Sequence, residues 1–178
     1  MPKYVAFLRA INVGGHVVKM DHLRKLFAAM GFSAVETFIA SGNVIFDSPA
    51  KNTRTLEKKI EDNLQKSLGY RVDAFVRSIS EVAAIACYKP FDDAEVNAQG
   101  NTLFVIFVGA EPNAQATKTF LSGSAVDVFH CQGREVYWLR RGKYLESEFS
   151  GPLLEKTLAM PATVRNANTV KRIAAKYS

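Results

Sequence analysis

The chain is short of the residues that staple small folds or ligate metals. It has two cysteines and three histidines among 178 residues. Cys87 and Cys131 stand 44 positions apart, with no second cysteine or histidine near either at ligand spacing. That argues against a disulfide framework and against a zinc site, and reads both as reduced, buried or half-buried thiols. No apolar run reaches the roughly 18 residues that a bilayer crossing takes. Arg9 and Asn12 break the apolar stretch near the start, so it lacks the layout of a secretory leader. The expectation is a cytoplasmic, bacterial-style protein with no membrane partner. Neither GxGxxG nor GxxxxGK[ST] occurs, and there is no G-x-S-x-G elbow.

Catalytic pairs are also missing. His130 and Cys131 are neighbours on a strand, where adjacent side chains point to opposite faces. Asp92-Asp93 falls in a linker, and Glu146 and Glu148 flank a helix start, where carboxylates suit the helix dipole. Sequence therefore assigns no catalytic residue, no metal ligand and no cofactor, and leaves open whether the protein is an enzyme.

What is present is an ordinary packed globule, 48% apolar, long enough to bury a core unaided as one large domain or two small ones. "KYVAFLR" (3–9) predicts a strand, and Met20, Leu23, Leu26, Phe27 and Met30 line one face of a helix that Gly31 ends. "ETFIA", Ser41-Gly42-Asn43 and "VIFDS" form a hairpin. Leu56, Ile60, Leu64 and Leu68 mark a helix over 53–68 stopped by Gly69, and "RVDAFVR" is a fourth strand. The order βαββαβ is the split, ferredoxin-like motif. Ser78-x-x-Glu81 is a capping box opening a connecting helix before Pro90, and 91–101 reads as a polar linker.

The order then returns. "TLFVIFV" is a strand covered on both faces, and a helix over 112–121 follows. "VDVFHC" and "REVYWLRR" make a second hairpin, then come a helix over 153–158, a strand over 162–164 and a last helix over 168–177. The expected fold is α+β: two ferredoxin-like βαββαβ halves with antiparallel sheets, a duplication of plan, plus a connecting helix and a C-terminal helix. The boundaries are 1–78, a connecting segment 79–100, and 101–178.

Right-handed crossovers put the loop after the first strand, Asn12-Val13-Gly14-Gly15-His16, beside the Ser41-Gly42-Asn43 turn, with Tyr70 and Arg71 close by. This edge collects Gly14, Gly15 and Gly42 for close backbone approach, Asn12, Ser41 and Asn43 as polar partners, and Arg9 and Lys19 as cations. A small phosphate- or carboxylate-bearing ligand suits it. The same residues also serve a purely structural reading, in which the glycines turn the chain and Arg9 pairs with an acid on a neighbouring strand. Near the end, Arg165 precedes a helix start, where the dipole disfavours a cation, and Asn166 or Asn168 suits an N-cap; Arg165 and Asn166 join the candidate set.

The net charge of +6 sits mostly in the first half, where residues 1–89 carry 13 basic against 8 acidic side chains. It permits nucleic acid as a partner, and a basic surface around Arg140, Arg141, Lys143 and the tail supports a binding or protein-interaction module as the alternative function. No RNA-recognition signature supports it: "NVIFDS" lacks the required pattern, and Tyr4 and Phe7 fall on opposite faces of their strand.

"YVAFLRAINVGGHVVKMDHLRKLFAAMGF", "SGNVIFDS" and "PATVRNANTV" resemble the bacterial family known as domain of unknown function 1697. The resemblance rests on Leu8, Arg9, Ile11–Gly15, Lys19-Met20, Ser41–Val44, Arg165-Asn166 and Thr169, and covers nearly the whole chain. Ala10 stands where the family usually has glycine, and Ala167 where an aromatic is common. The first departure implies that the backbone needs no special φ at Ala10, and the second weakens any stacking role at 167. The resemblance implies an α+β pair of ferredoxin-like subdomains and implies no activity, cofactor or catalytic residue.

Overall fold

The computed structural model describes every residue except Val13, Gly14, Ala40, Ser41, 143–148 and Ser150. The chain divides into two compact units, residues 1–84 with 173–178, and residues 85–172.

The first unit contains β1 (Lys3–Leu8), α1 (Met20–Ala29), β2 (Ser33–Thr37), β3 (Asn43–Asp47), α2 (Thr53–Leu68) and β4 (Ala74–Ser78). Its sheet order is β2-β3-β1-β4, with every neighbouring pair antiparallel. This is the ferredoxin-like arrangement expected of βαββαβ. The helices exist because their apolar stripes have a sheet to cover. Leu23 and Phe27 of α1, and Leu56, Ile60 and Leu64 of α2, pack with Tyr4, Ala6, Leu8, Val44, Phe46, Ala74 and Val76. Asn52 caps α2 by accepting from the N–H groups of Arg54 and Thr55, and Gly69 ends it at φ 81°. Tyr4 belongs to this core and Phe7 does not, as the strand's alternation requires.

β4 is an edge strand, yet its outward N–H groups are closed. Ala74 donates to Glu61 (3.0 Å) and Val76 to Glu57 (2.9 Å), both on α2, and Ser78 donates to Glu81 (2.7 Å). Glu81 in turn donates its N–H to the Ser78 hydroxyl, completing the expected capping box. Three carboxylates thus occupy a row of donors that would otherwise invite another strand.

The connecting helix α3 (Ile79–Cys87) and the short α4 (Asp93–Val96) lead to β5 (Thr102–Val108), α5 (Ala114–Ser122), β6 (Asp127–Gln132), β7 (Glu135–Arg140), α6 (Gly151–Leu158), β8 (Ala162–Asn166) and α7 (Ala167–Tyr177). The second sheet is ordered β6-β7-β5-β8 and is again antiparallel. Its helix-side core joins Ile106, Val108, Phe120, Phe129, Trp138, Leu154 and Leu158.

Local boundaries depart from the sequence reading where tertiary pairing decides. β2 starts at Ser33, earlier than "ETFIA", because Ser33 already pairs with Asp47 across an irregularity in register. The linker over 91–101 contains the one-turn α4. Cys87 is exposed, not buried, while Cys131 is half-buried against the second core. Among the described residues no helix is long and apolar enough to cross a membrane.

Candidate functional site

In the first unit β1 and β2 run in the same direction with β3 between them. The exit of β1, the β2–β3 turn and the end of α2 therefore share one edge of the sheet. Hydrogen bonds tie them together: Leu8 N–H to Gly42 O (2.8 Å), Arg9 N–H to Asp73 O (2.9 Å) and Tyr70 Oη–H to Ile11 O (2.8 Å). Gly42 has φ 83°, and a Cβ there would lie 3.0 Å from Leu8 Cβ and 3.1 Å from Ile11 Cγ2. Only glycine lets the turn rest against β1.

Several polar candidates already have structural work. Asn12 Oδ1 accepts from Val18 N–H at 2.7 Å, closing the loop ahead of α1. Buried Asn43 donates to Phe38 O at 3.0 Å and closes the hairpin. Gly15, at φ 83°, borders open space, and Lys19 is exposed at the start of α1. The His16 ring stacks on Tyr70 with centroids 3.9 Å apart, and loss of water contact raises the Tyr70 phenol above its ordinary pKa. Ala10 contradicts its expectation. It sits at φ 54°, in the left-handed region, because the chain must leave β1 abruptly while Arg9 stays bonded to Asp73.

The charges centre on Asp73, whose side chain is 8% exposed. Arg71 donates to its Oδ1 from Nε (3.0 Å) with Nη2 2.8 Å from the same oxygen, and Arg9 Nη1 lies 3.8 Å from Oδ2. Two guanidiniums thus bear on one carboxylate. Glu61 of α2, half-buried, interacts with the same charges. Burial, then the charges of Asp73 and Glu57, raise its carboxyl above the usual range, against the Ala74 N–H and Arg71, which pull it down.

Of the sequence candidates, this edge gathers Arg9, Asn12, Gly15, Lys19, Gly42 and Asn43 within one unit. Gly14 and Ser41 lie outside the described residues. Arg165 and Asn166 belong to β8 of the second unit. There Arg165 Nη1 donates to Thr163 Oγ1 (2.7 Å) and Val164 O (3.0 Å), and burial lowers its guanidinium to about 10, still cationic at neutral pH. Asn166 Oδ1 accepts from Asn168 N–H at 2.9 Å, the cap expected of it. Asp73 is the residue that sequence reasoning missed. It stands inside "RVDAFVR", which alternation reads as strand, and no local signal set it apart. Arg141 of the basic surface is paired with Glu95, and Lys143 lies outside the described residues. Among the described residues no three histidine, cysteine or acidic side chains are grouped to hold a metal ion.

A family model described as "Protein of unknown function (DUF1697)" matches residues 1–137. The chain belongs to that family. Its match includes the whole loop edge of the first unit and ends before Arg165 and Asn166. The fold is also similar to that of the conserved bacterial protein SP0830 from Streptococcus pneumoniae, with 23% sequence identity, a TM-score of 0.73, and coverage of 99% of this chain and 98% of that one. No curated protein matches.

Proposed function

We propose that this family member is a cytoplasmic binding protein whose site, at the β1–α1 and β2–β3 edge of the first unit, takes a small phosphate- or carboxylate-bearing ligand. The observation that carries the reading is a grouping of cations: Arg9 and Arg71 bear on buried Asp73, and exposed Lys19 follows the same glycine loop, three positive side chains against the acids Asp73 and Glu61. An anion brought to this edge meets surplus positive charge and, at Gly15, a backbone with open space beside it. The asparagines and Gly42 shape the edge; the arginines and Lys19 supply the attraction. No nucleophile–base pair is present among the described residues there, so the reading is binding without an assigned reaction.

The test is a thermal-shift panel on the full chain with inorganic phosphate, sugar phosphates, nucleotides, carboxylates and short RNA and DNA oligomers. A ligand at a hundredfold excess over Kd adds about 2.7 kcal/mol of stability. The expected result is a shift selective for one small anion, lost in Arg9→Ala and Arg71→Ala. A shift confined to oligomers and abolished by salt would replace this reading with a nucleic-acid surface.

A further inference from the structure

The second unit holds a chamber that the loop-edge reading leaves unused. Leu103, Val105 and Tyr137 form its floor, on the sheet face opposite the core that packs against α5 and α6. Phe91, Val96 and Val170 enclose it from the linker, α4 and α7. Its volume is 310 Å³, at the small end of the roughly 300–1,000 Å³ typical of ligand pockets. Burial raises the Tyr137 phenol above its ordinary pKa, so the floor carries no charge, and its hydroxyl donates to Ile85 O at 3.4 Å.

A second cavity of 180 Å³ adjoins the first and shares Val96, Leu103, Ala167 and Lys171 with it. Its other walls are polar: Asn97, Asn101, Thr102, Asn166 and Asn168. Lys171 therefore lines both the apolar space and the one walled by amides. The first chamber's other cation, Lys89, is bound to Asp93 at 2.9 Å. Lys171 is exposed and has no ion pair among the described residues.

We propose that the adjoining cavities together bind a small amphipathic carboxylate, an aromatic or branched aliphatic acid, with its apolar body on Leu103, Val105 and Val170 and its carboxylate at Lys171 among the amides. The chamber's floor of Leu103, Val105 and Tyr137 rejects an ionic group, since burying an unpaired charge there is far costlier than burying a hydrocarbon, and the Lys89–Asp93 pair at its wall is already self-neutralised. The polar cavity accepts the carboxylate through a charge-assisted bond with Lys171. This site is separate from the loop edge and does not depend on it.

The test is a methyl-NMR titration of the full chain with 3-phenylpropanoate and with its neutral counterpart, 3-phenylpropanamide. The expected result is saturable shifts of the Leu103, Val105 and Val170 methyls, with the acid binding more tightly than the amide. Lys171→Gln, an exposed change that leaves packing alone, should weaken the acid at least tenfold and leave the amide unchanged. Arg9→Ala should change neither. As a second readout, the acid should slow thiol labelling of Cys87, which is exposed and borders the chamber. Absence of saturable shifts at these methyls would overturn the proposal, as would equal weakening of acid and amide by Lys171→Gln, or loss of binding in Arg9→Ala alone.

Discussion

The two halves share a register, so they can be compared residue by residue. Val5 pairs with Arg77 and Leu8 with Ala74 in the first sheet; Val105 pairs with Arg165 and Val108 with Ala162 in the second. Counting outward from those pairs, Arg9 corresponds to Gly109, Arg71 to Ala159 and Asp73 to Pro161. Glycine, alanine and proline stand where the first half has its charged cluster. Arg134 and Glu135, a pair of opposite sign, replace Gly42 and Asn43. The βαββαβ plan therefore closes without an arginine–aspartate cluster at this edge, and the two arginines around Asp73 are not a requirement of the fold. That difference is what points to the first half's edge as a place for an anion.

The interior shows the opposite pattern. Arg77 and Arg165 occupy the same register, and each donates Nη1 to the preceding carbonyl at 3.0 Å. The equivalent glutamates Glu61 and Glu155 each accept from the first N–H of the adjoining strand, Ala74 and Ala162. One turn earlier the halves diverge: Glu57 lies 3.7 Å from Arg77, whereas the matching place before Glu155 is Gly151, where the shorter helix begins.

The largest expected contrast is between the arginines. Arg77 is 1% exposed, and Arg77→Ala removes a buried cation 3.7 Å from buried Glu57, so it should cost about 3–5 kcal/mol in urea unfolding. Arg165 is half-buried, and Arg165→Ala should cost about 1–2 kcal/mol. Equal losses would dissolve the distinction. Next come the hairpin glycines. Gly42→Ala combines a left-handed φ with contacts to Leu8 and Ile11 and should cost about 2–4 kcal/mol. Gly133, at φ 58°, has nothing within 4 Å of the place a Cβ would occupy, and the same change there should cost only about 1 kcal/mol.

Smaller still, Ala10→Gly relieves a left-handed alanine and should stabilise the chain by about 0.5–1 kcal/mol. The corresponding Ala110 has no positive φ and should lose stability on the same change. The smallest effect is one of pH. Because folding raises the Glu61 carboxyl, its contribution is present below the unfolded pKa and is lost as pH rises through the folded value. Glu61→Gln keeps an acceptor for Ala74 and should flatten that decline, seen as a gain over wild type at about pH 7.5 that shrinks at acid pH. A constant offset across pH would contradict this origin.

These contrasts also mark what the chain's linear pattern reveals. Hydrophobic spacing reports which face of a helix or strand is covered, and it brought out both βαββαβ halves, the helix stops at Gly31 and Gly69, and the Ser78–Glu81 box. Local spacing also separated His130 from Cys131 and Tyr4 from Phe7. Asp73 was not legible, because its role depends on two arginines from different segments. The glutamates closing β4 were hidden for the same reason: an i, i+4 pair on a helix looks solvated until a strand edge lies against it. At Ala10, the residue type suggested an ordinary φ that the Arg9–Asp73 backbone bond overrides. The double cavity has no sequence signature, since its walls come from five separate segments.

The central claim is that the first half's edge, and not its counterpart without the two arginines, receives an anion. The most direct measurement is an amide-NMR titration of the full chain with inorganic phosphate. The expected result is saturable shifts at Arg9, Gly15 and His16, diminished in Arg71→Ala, with residues 109–113 unmoved. Shifts that fail to saturate, or that are as large at 109–113 as at the first edge, would contradict it.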